Sequence, residues 1–400
     1  MRTGGSLLST FLLGCGLVAA GQQPTPFGFG AQATGGGSAT PQTPKDLKEL
    51  TSLLGDSVPR VILIDKVFDF TDSENNATGP GCAPWPPCTS SSLQVQHALN
   101  HLGWCSQHAK PNEFITVNYR KAALDPLMIG HNKTIRGVGD AGVIRGKGLL
   151  VFRTKNIIIQ NLHITWLNPE LVWGGDALMI NGGQDIWVDH CTFSSIGRQM
   201  IVLDIGKNTG ITISNNKFDG VTEWSSTCLG KHYWTALLTG SGDQITMANN
   251  CFQDTSGRTP KLGGSGDPNV IVHYYNNLHT QTTGQSIEIG GGGKFLAEGN
   301  LFKEVYTIYP EQAVTEVGGE AYIPMTPAET DACKSYLGRP CVANKEENTK
   351  PPGSGGPIKY GKTKDALTAF ENVDYLKTVN IQPASSLETG TPGGCGFGLL

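Results

Sequence analysis

Six short segments in the middle of the chain share one pattern of hydrophobic and polar positions. Each has alternating apolar residues, then a polar turn, then a further apolar residue; they begin at Ile157, Ile186, Ile211, Ile245, Val272 and Phe295. Successive starts lie 29, 25, 34, 27 and 23 residues apart. An interval of this size with strand-like alternation indicates a solenoid. We therefore predict that each repeat is one coil of a parallel β-helix.

Asparagine recurs at the fifth or sixth place of these segments, at Asn161, Asn215, Asn216, Asn249, Asn250, Asn276, Asn277 and Asn300. Stacked coils bring equivalent side chains into register, where amides hydrogen-bond from one coil to the next. The pattern therefore predicts a structural asparagine ladder. Trp187 and His190 lie within the same segments, and we expect both to be buried and structural.

The two ends of such a solenoid need covers, because uncovered strand edges invite aggregation. The segment KDLKELTSLLG predicts a short helix near Lys45 to Leu54, and VILIDKVFDF predicts a strand after it. The loop-rich tail after Phe302 is the other cover. We predict an all-β fold, a single-stranded parallel β-helix with a short N-terminal helix cap and a loop-rich C-terminal tail. Residues 21–400 then form one domain around a repeat core at roughly 130–305.

The first twenty residues are typical of a secretory signal peptide, with Arg2, an apolar run from Leu7 to Ala20, and small residues at its end. The run is too short for a membrane anchor, so we expect a secreted, extracellular protein without a membrane partner. Disulfides persist in that compartment, and Asn76 and Asn132 begin glycosylation sequons.

Charge adds little to this prediction. The formal net charge is −4 without a basic run, which argues against a nucleic-acid partner. The cysteine spacings fit no zinc pattern, so we predict no metal site. No feature indicates oligomerisation, and we expect a monomer.

The 34-residue interval contains an insertion, DGVTEWSSTCLGKHYWTALLTG. Extra loops of a solenoid tend to build its binding face. Equivalent positions of neighbouring coils stand about 4.8 Å apart, so the loops should gather four polar residues on that face: Asp176, Arg198, Arg258 and Lys261. Aromatic platforms beside polar groups hold sugar rings, and the same face should receive Trp85, Trp104, Trp173, His232, Tyr233 and Trp234. A disulfide from the cysteine-rich segment to Cys228 would bring the first two there.

The strings VWGGDA, IWVDH, IGRQ, TCLGKHYW, SGRTPK, IEIG and AEGN, in this order, resemble the pectin lyases within the pectate lyase superfamily. The resemblance extends from Gly35 to Cys341. It implies a right-handed parallel β-helix that cleaves methyl-esterified α-1,4-linked galacturonan, the polysaccharide pectin, by β-elimination without calcium or another cofactor. It also implies the disulfides Cys82–Cys105, Cys88–Cys228 and Cys333–Cys341. That set leaves without partners Cys191, Cys251 and Cys395.

By the same resemblance, Arg258 is the base that abstracts the proton, Arg198 is the cation beside the substrate carboxyl, and Asp176 orients them. Removing the hydrogen at C5 develops negative charge on the carboxyl oxygens, which fixed cations stabilise in the transition state. Arginine normally stays protonated, so the role of Arg258 requires neighbouring positive charge and desolvation. The structural alternative is an ion pair of Arg258 with Asp254 or Asp219. Lys261 fits a binding role and a structural role equally well.

Three other functions remain open. A calcium-dependent pectate lyase needs six or more oxygen ligands, but the chain offers Asp176 and Asp204 with Gly174 and Met200 where further acids are expected. Asp204 nevertheless departs from the pectin lyase pattern. A polygalacturonase needs paired carboxylates, and no Asp-Asp pair is present. A non-catalytic carbohydrate-binding β-helix would not need two arginines on its open face.

Overall fold

A computed structural model describes residues 24–90, 92–264, 269–309, 319–349 and 363–400. The predicted signal peptide at residues 1–20 lies outside these ranges. Among the described residues, no helix has the length and hydropathy that a membrane span needs.

The repeat segments lie side by side in one parallel sheet. Within the described ranges, sheet 1 has ten strands: β1 (Pro41–Gln42), β2 (Arg60–Ile64), β9 (Lys133–Gly137), β12 (Lys155–Gln160), β16 (Gln184–Asp189), β19 (Thr209–Ser214), β23 (Gln244–Ala248), β26 (Val270–Tyr275), β29 (Gly293–Glu298) and β31 (Glu320–Tyr322). The register pairs Ile157 with Ile186, and continues in the same row through Ile211, Ile245, Val272 and Phe295. The repeat alignment is therefore confirmed residue by residue.

Two further parallel sheets complete each coil. Over the same described residues, sheet 2 contains β3 (Val67–Asp69), β10 (Val143–Arg145), β13 (His163–Leu167), β17 (Thr192–Ile196), β20 (Lys217–Asp219), β24 (Cys251–Gln253), β27 (Leu278–Thr280), β30 (Leu301–Lys303) and β32 (Lys345–Glu347). Sheet 3 contains β8 (Leu127–Ile129), β11 (Leu149–Phe152), β15 (Leu178–Asn181), β18 (Ile201–Leu203), β22 (Ala236–Leu238), β25 (Lys261–Leu262) and β28 (Glu288–Ile289). The chain passes from sheet 1 to sheet 2 to sheet 3 and back, which is the predicted parallel β-helix.

Rows of identical or similar side chains fill the interior. The row that begins at Ile157 is fully buried, and so is an aromatic row of sheet 2 formed by Phe193, Phe218, Phe252, His279 and Phe302. Burying one such side chain stabilises the fold by about 1.5–3 kcal/mol. Trp187 is buried as predicted, and its indole N–H donates to Ser214. His190 is also buried and bonds the carboxylate of Asp189.

The turns from sheet 1 to sheet 2 contain the predicted ladder. The amide of Asn216 bonds Asn250, which bonds Asn277, which bonds Asn300, and the ladder extends to Asn344, which the repeat alignment did not include. The other predicted members precede the ladder positions and have left-handed backbones instead: Asn161, Asn215, Asn249 and Asn276. Asparagine tolerates that conformation better than most residues.

Helix α1 (Leu47–Gly55) covers the first coils, with Leu50 and Leu54 buried and with Asp46 as its N-cap. The tail contains α3 (Pro327–Ala332), α4 (Lys334–Leu337) and α5 (Asp365–Thr368), which pack against Leu296 and Tyr322. Both predicted covers are therefore present. Short 3-10 helices lie at Gly28–Gln32, His101–Gly103, Pro111–Glu113, Lys121–Leu124, Asp374–Lys377 and Ala384–Thr389.

Residues 70–126 leave the first coil and return to it, since β2 pairs directly with β9. This excursion builds a small sheet that the repeat pattern did not predict, from β4 (Asn76–Cys82), β6 (His97–Leu99) and β7 (Phe114–Arg120) with β14 (Leu171–Val172). It also contributes β5 (Gln94–Val95), which pairs with β21 (Trp224–Ser225), and α2 (Trp104–His108). Residues 70–126 thus contact the predicted insertion through the pairing of β5 with β21.

The three disulfides implied by the resemblance are present: Cys82–Cys105, Cys88–Cys228 and Cys333–Cys341. The expectation that Cys251 and Cys395 stay unpaired is wrong. The tail returns along sheet 2, where Phe397 and Gly398 bond Thr192 and Asn161, and this path brings Cys395 to Cys251. Cys191 is buried and has no disulfide partner among the described residues.

Candidate active site

The loops that lead from sheet 2 to sheet 3 carry the predicted polar residues. Asp176 precedes β15, Arg198 precedes β18 and Arg258 precedes β25. Because β22 alone separates β18 from β25 in sheet 3, the two arginines start from strands about 10 Å apart on one face. The structure therefore brings these three residues to the same face of the solenoid.

Asp176 and Arg198 form a bidentate ion pair. Nε of Arg198 donates to Oδ1 at 2.9 Å and Nη2 donates to Oδ2, while the backbone N–H of Gln199 also donates to Oδ1 at 2.8 Å. The side chains are only 13% and 7% exposed for Arg198 and Asp176. The guanidinium lies 3.7 Å from the ring centroid of Trp173. The carboxylate of Asp176 and the ring of Trp173 thus fix the orientation of the guanidinium.

Arg258 is held by aromatic rings instead. Its guanidinium carbon lies 4.6 Å from the ring centroid of Trp234 and 5.4 Å from that of Tyr233. Its Nε is buried and has no hydrogen-bond partner among the described residues. Within the same residues, no carboxylate forms a salt bridge with Arg258.

The predicted alternative, a structural ion pair of Arg258, is not formed. Asp254 binds Lys231 at 2.9 Å, and Asp219 binds Lys217 at 2.9 Å. Both candidate carboxylates therefore have other partners.

Lys261 lies in β25 with its ammonium 3.3 Å from a carboxylate oxygen of Glu288. The hydroxyl of Tyr233 donates to the other oxygen of Glu288 at 3.3 Å. Burial and the neighbouring carboxylate of Glu288 raise the pKa of Tyr233, so the phenol stays protonated. Sequence analysis did not single out Glu288, because its partners come from two other coils.

The tryptophans form a half-buried wall beside the arginines. The rings of Trp85 and Trp104 lie 6.2 Å apart, and those of Trp85 and Trp234 lie 6.5 Å apart. Trp173 stacks on His101 at 4.7 Å. The disulfide to Cys228 thus places the excursion beside the insertion, as the sequence predicted.

His232 requires a correction, since we predicted that it contacts the substrate. Its side chain is only 4% exposed, and Nε2 lies 2.8 Å from the carbonyl oxygen of Arg198 and 3.0 Å from that of Trp234. Burial lowers the pKa of His232 to about 4, so the ring is neutral and donates to these carbonyls. His232 ties two site loops together from below the surface.

Gln96 is a site residue that sequence analysis missed. It is 1% exposed, and its amide nitrogen donates to the carbonyls of Gly197 at 2.7 Å and Pro169 at 3.0 Å. Its amide oxygen accepts from the indole N–H of Trp234 at 3.0 Å. One side chain therefore links three segments around the arginines. No motif surrounds it in the sequence, so no local signal could have found it.

A pocket of about 350 Å³ opens beside the ion pair. Asp176, Arg198 and Trp173 line one side of it, and the excursion supplies Leu99 and Tyr119 on the other. The pocket thus lies on the binding face predicted from the sequence, since three of the predicted site residues line it.

Asp204 does not join Asp176. It follows β18, about 16 Å along the strand direction from the level of Asp176, and it accepts a hydrogen bond from Asn181 at 3.2 Å. Met200 is fully buried in the core. Across the described part of the chain, no group of three or more His, Cys, Asp or Glu side chains could hold a metal ion. The carboxylates of Asp176 and Asp204, which we considered as calcium ligands, therefore lie in different parts of the solenoid.

Comparison with known proteins identifies the family to which this chain is similar. A family model described as pectate lyase matches residues 112–318. Probable pectin lyase B of Aspergillus fumigatus is 42% identical over 377 residues, which cover 93% of this chain and 95% of that protein. Pectin lyase B of Emericella nidulans is 39% identical over 404 residues and the full length of both. A pectate lyase structure from Acidovorax avenae superposes with a TM-score of 0.56 at 16% identity, covering 95% of this chain and 96% of that one, and so shares the fold.

Proposed function

The chain belongs to the pectate lyase family, and we propose that it is a pectin lyase, which cleaves methyl-esterified α-1,4-linked galacturonan by β-elimination without calcium. Its full-length relatives at about 40% identity carry the name pectin lyase. The observation that carries the proposal is the contrast between the two arginines. Arg198 is paired with Asp176, whereas Arg258 has no carboxylate partner among the described residues.

In the proposed reaction, Arg258 removes the proton at C5 of one sugar. The electrons of the C5–H bond form the C4–C5 double bond, and the C4–O bond breaks. The leaving oxygen stays on C1 of the neighbouring sugar and takes up a proton. Arg198, oriented by Asp176, stabilises the negative charge that develops on the carboxyl oxygens.

The pairing of Asp176 supports independence from calcium. Both of its oxygens accept hydrogen bonds from Arg198, so neither is available to a cation that needs six or more oxygens. A methyl ester also makes the elimination easier, since the substrate then carries no charge before the proton is removed. We expect Trp85, Trp104, Trp173 and Trp234 to supply faces for the sugar rings, with Tyr233 beside them.

We further propose that the protein is secreted and acts as a monomer on extracellular pectin. The signal-like first twenty residues and the four disulfides support secretion.

The test is incubation of the purified protein with highly methylated pectin in excess chelator. We expect unsaturated products that absorb in the near ultraviolet. Activity only on demethylated polymer with added calcium would favour a pectate lyase, and new reducing ends without unsaturation would favour a hydrolase. Binding without any product would favour a carbohydrate-binding protein.

The variant Arg258→Lys tests the proposed base. It should lose most of the turnover while its melting temperature stays close to that of the wild type. Arg136→Lys, on sheet 1, is the matched control and should keep full activity. Unfolding of Arg258→Lys would instead indicate a structural role for Arg258.

A further inference from the structure

A row of apolar side chains lies on the outer face of sheet 3, and one member of it, Val202, is only 2% exposed. One residue from each of five neighbouring strands lies in register: Met128, Leu150, Met179, Val202 and Leu237. The strand neighbours of Met179, Leu178 and Ile180, are fully buried in the core, so Met179 points the other way. Because Val202 is buried, the accessible part of the row beside the pocket comprises Met128, Leu150 and Met179, and two strand spacings make it about 10 Å long.

Beyond Leu237, the side chains in the same register are charged. The next two positions in register after Leu237 are Lys261 and Glu288, which form an ion pair. The apolar part therefore extends from β8 to β22, one strand beyond the level of Arg198, and the charged part begins at β25, the level of Arg258.

The apolar row is continuous with the proposed active site. Met179 lines the same pocket as Asp176 and Arg198. Leu99, Leu124 and Pro126 also line this pocket. Asp176 and Arg198 are the pocket's charged side chains and neutralise each other, while the titratable His101 stacks on Trp173.

We infer that the row and this pocket form the subsite that selects methyl-esterified galacturonosyl residues, with the ester methyl groups packed on Met179 and Leu150. A free carboxylate in this place would lose hydration against apolar side chains without gaining an unpaired cation. A methyl ester is uncharged and buries its methyl group there. This inference rests on the proposed pectin lyase function.

The test compares variants of Met179 on two pectins, one highly methylated and one obtained from it by partial demethylation. Met179→Lys puts a cation on the row and should lower the ratio of kcat/KM on the methylated pectin to that on the demethylated pectin by about tenfold. Met179→Gln keeps the length of the side chain without charge and should lower the ratio less. Met179→Leu keeps an apolar surface and should preserve the ratio. Val67→Lys, at an exposed strand position of sheet 2, is the matched charge control.

Two results would overturn the inference in different ways. If the wild-type protein forms no unsaturated product from any pectin, the proposed pectin lyase function is refuted. The inference then loses its basis. Active wild-type protein with an unchanged ratio in folded Met179→Gln, verified by circular dichroism, would refute the subsite and leave the function intact. Because Met179→Gln is close in size to the native residue, it decides the question even if Met179→Lys fails to fold.

Discussion

Replacing Gln96 by leucine should disable the site from a position that the substrate does not reach. Leucine has a similar size but cannot bond the carbonyls of Gly197 and Pro169 or the indole of Trp234. Gly197 precedes Arg198, and Trp234 contacts the guanidinium of Arg258. The loss should therefore loosen both arginines at once.

The size of the effect follows from the three lost hydrogen bonds. At about 1 kcal/mol net for each, the free energy of unfolding should fall by about 3 kcal/mol. With an unfolding entropy of about 2.1 cal/mol/K per residue, the melting temperature should fall by about 4 °C. The fold therefore survives at 25 °C. A displacement of about 1 Å at the catalytic groups costs about 100-fold in rate, so kcat should fall far more than stability.

The assay measures kcat and KM on methylated pectin together with the melting temperature. Gln94→Leu, at an exposed position of β5 two residues before Gln96, is the control and should change neither. Gln96→Glu adds a second readout, because its buried carboxyl favours the neutral form, which restores one donor. The pKa of this carboxyl is raised on folding, so Gln96→Glu should recover activity and stability as the pH falls and lose them as it rises. Turnover of Gln96→Leu within twofold of the wild type would refute the positioning role.

Three further predictions follow from the site and the tail. Asp176→Asn removes the charged partner of Arg198 and should lower kcat/KM on methylated pectin about 100-fold, given a loss of about 3 kcal/mol for a largely buried pair; a loss below threefold would contradict the orienting role. His232 has a folded pKa of about 4 against 6.5 when unfolded, so its contribution to stability is complete above pH 6.5 and is lost as the pH falls toward 4. His232→Gln should therefore show a weaker acid-induced decrease in urea stability, and an unchanged decrease would contradict this. Replacing Cys251 and Cys395 by alanine opens a link across 144 residues and should lower the free energy of unfolding by about 2–4 kcal/mol, with unchanged activity at 25 °C; reduced activity would show that the tail supports the cleft.

The coils could be predicted from the sequence because each one repeats the same inward positions. Ile157 and Ile186 occupy one row, and the alignment that paired them also paired their neighbours in sheets 1 and 2. The same periodicity placed Asp176, Arg198 and Arg258 in loops of one face, with the insertion loop between those of the two arginines. Periodicity thus predicts both the strands and the order of the loops between them.

Contacts made by non-repeating segments could not be predicted in this way. Gln96 belongs to the excursion of residues 70–126, whose small sheet has no counterpart in other coils. Cys395 reaches Cys251 only because the tail returns along sheet 2. His232 reaches the carbonyl of Arg198, which lies in the preceding coil 34 residues earlier. Each of these contacts joins segments far apart in the chain, and no spacing rule encodes them.

The surroundings of the two arginines support different roles for them. The two hydrogen bonds to Asp176 fix the guanidinium of Arg198 in place, so this cation is suited to hold developing negative charge. Around Arg258, Asp254 and Asp219 are occupied by lysines, and Glu288 is shared by Lys261 and Tyr233. Each of these three carboxylates therefore forms its ion pair with a lysine. The guanidinium of Arg258 is contacted mainly by aromatic rings. Among the described residues the guanidinium of Arg258 is thus engaged by no carboxylate, whereas that of Arg198 is, and this difference is why we propose proton abstraction for Arg258 and charge stabilisation for Arg198.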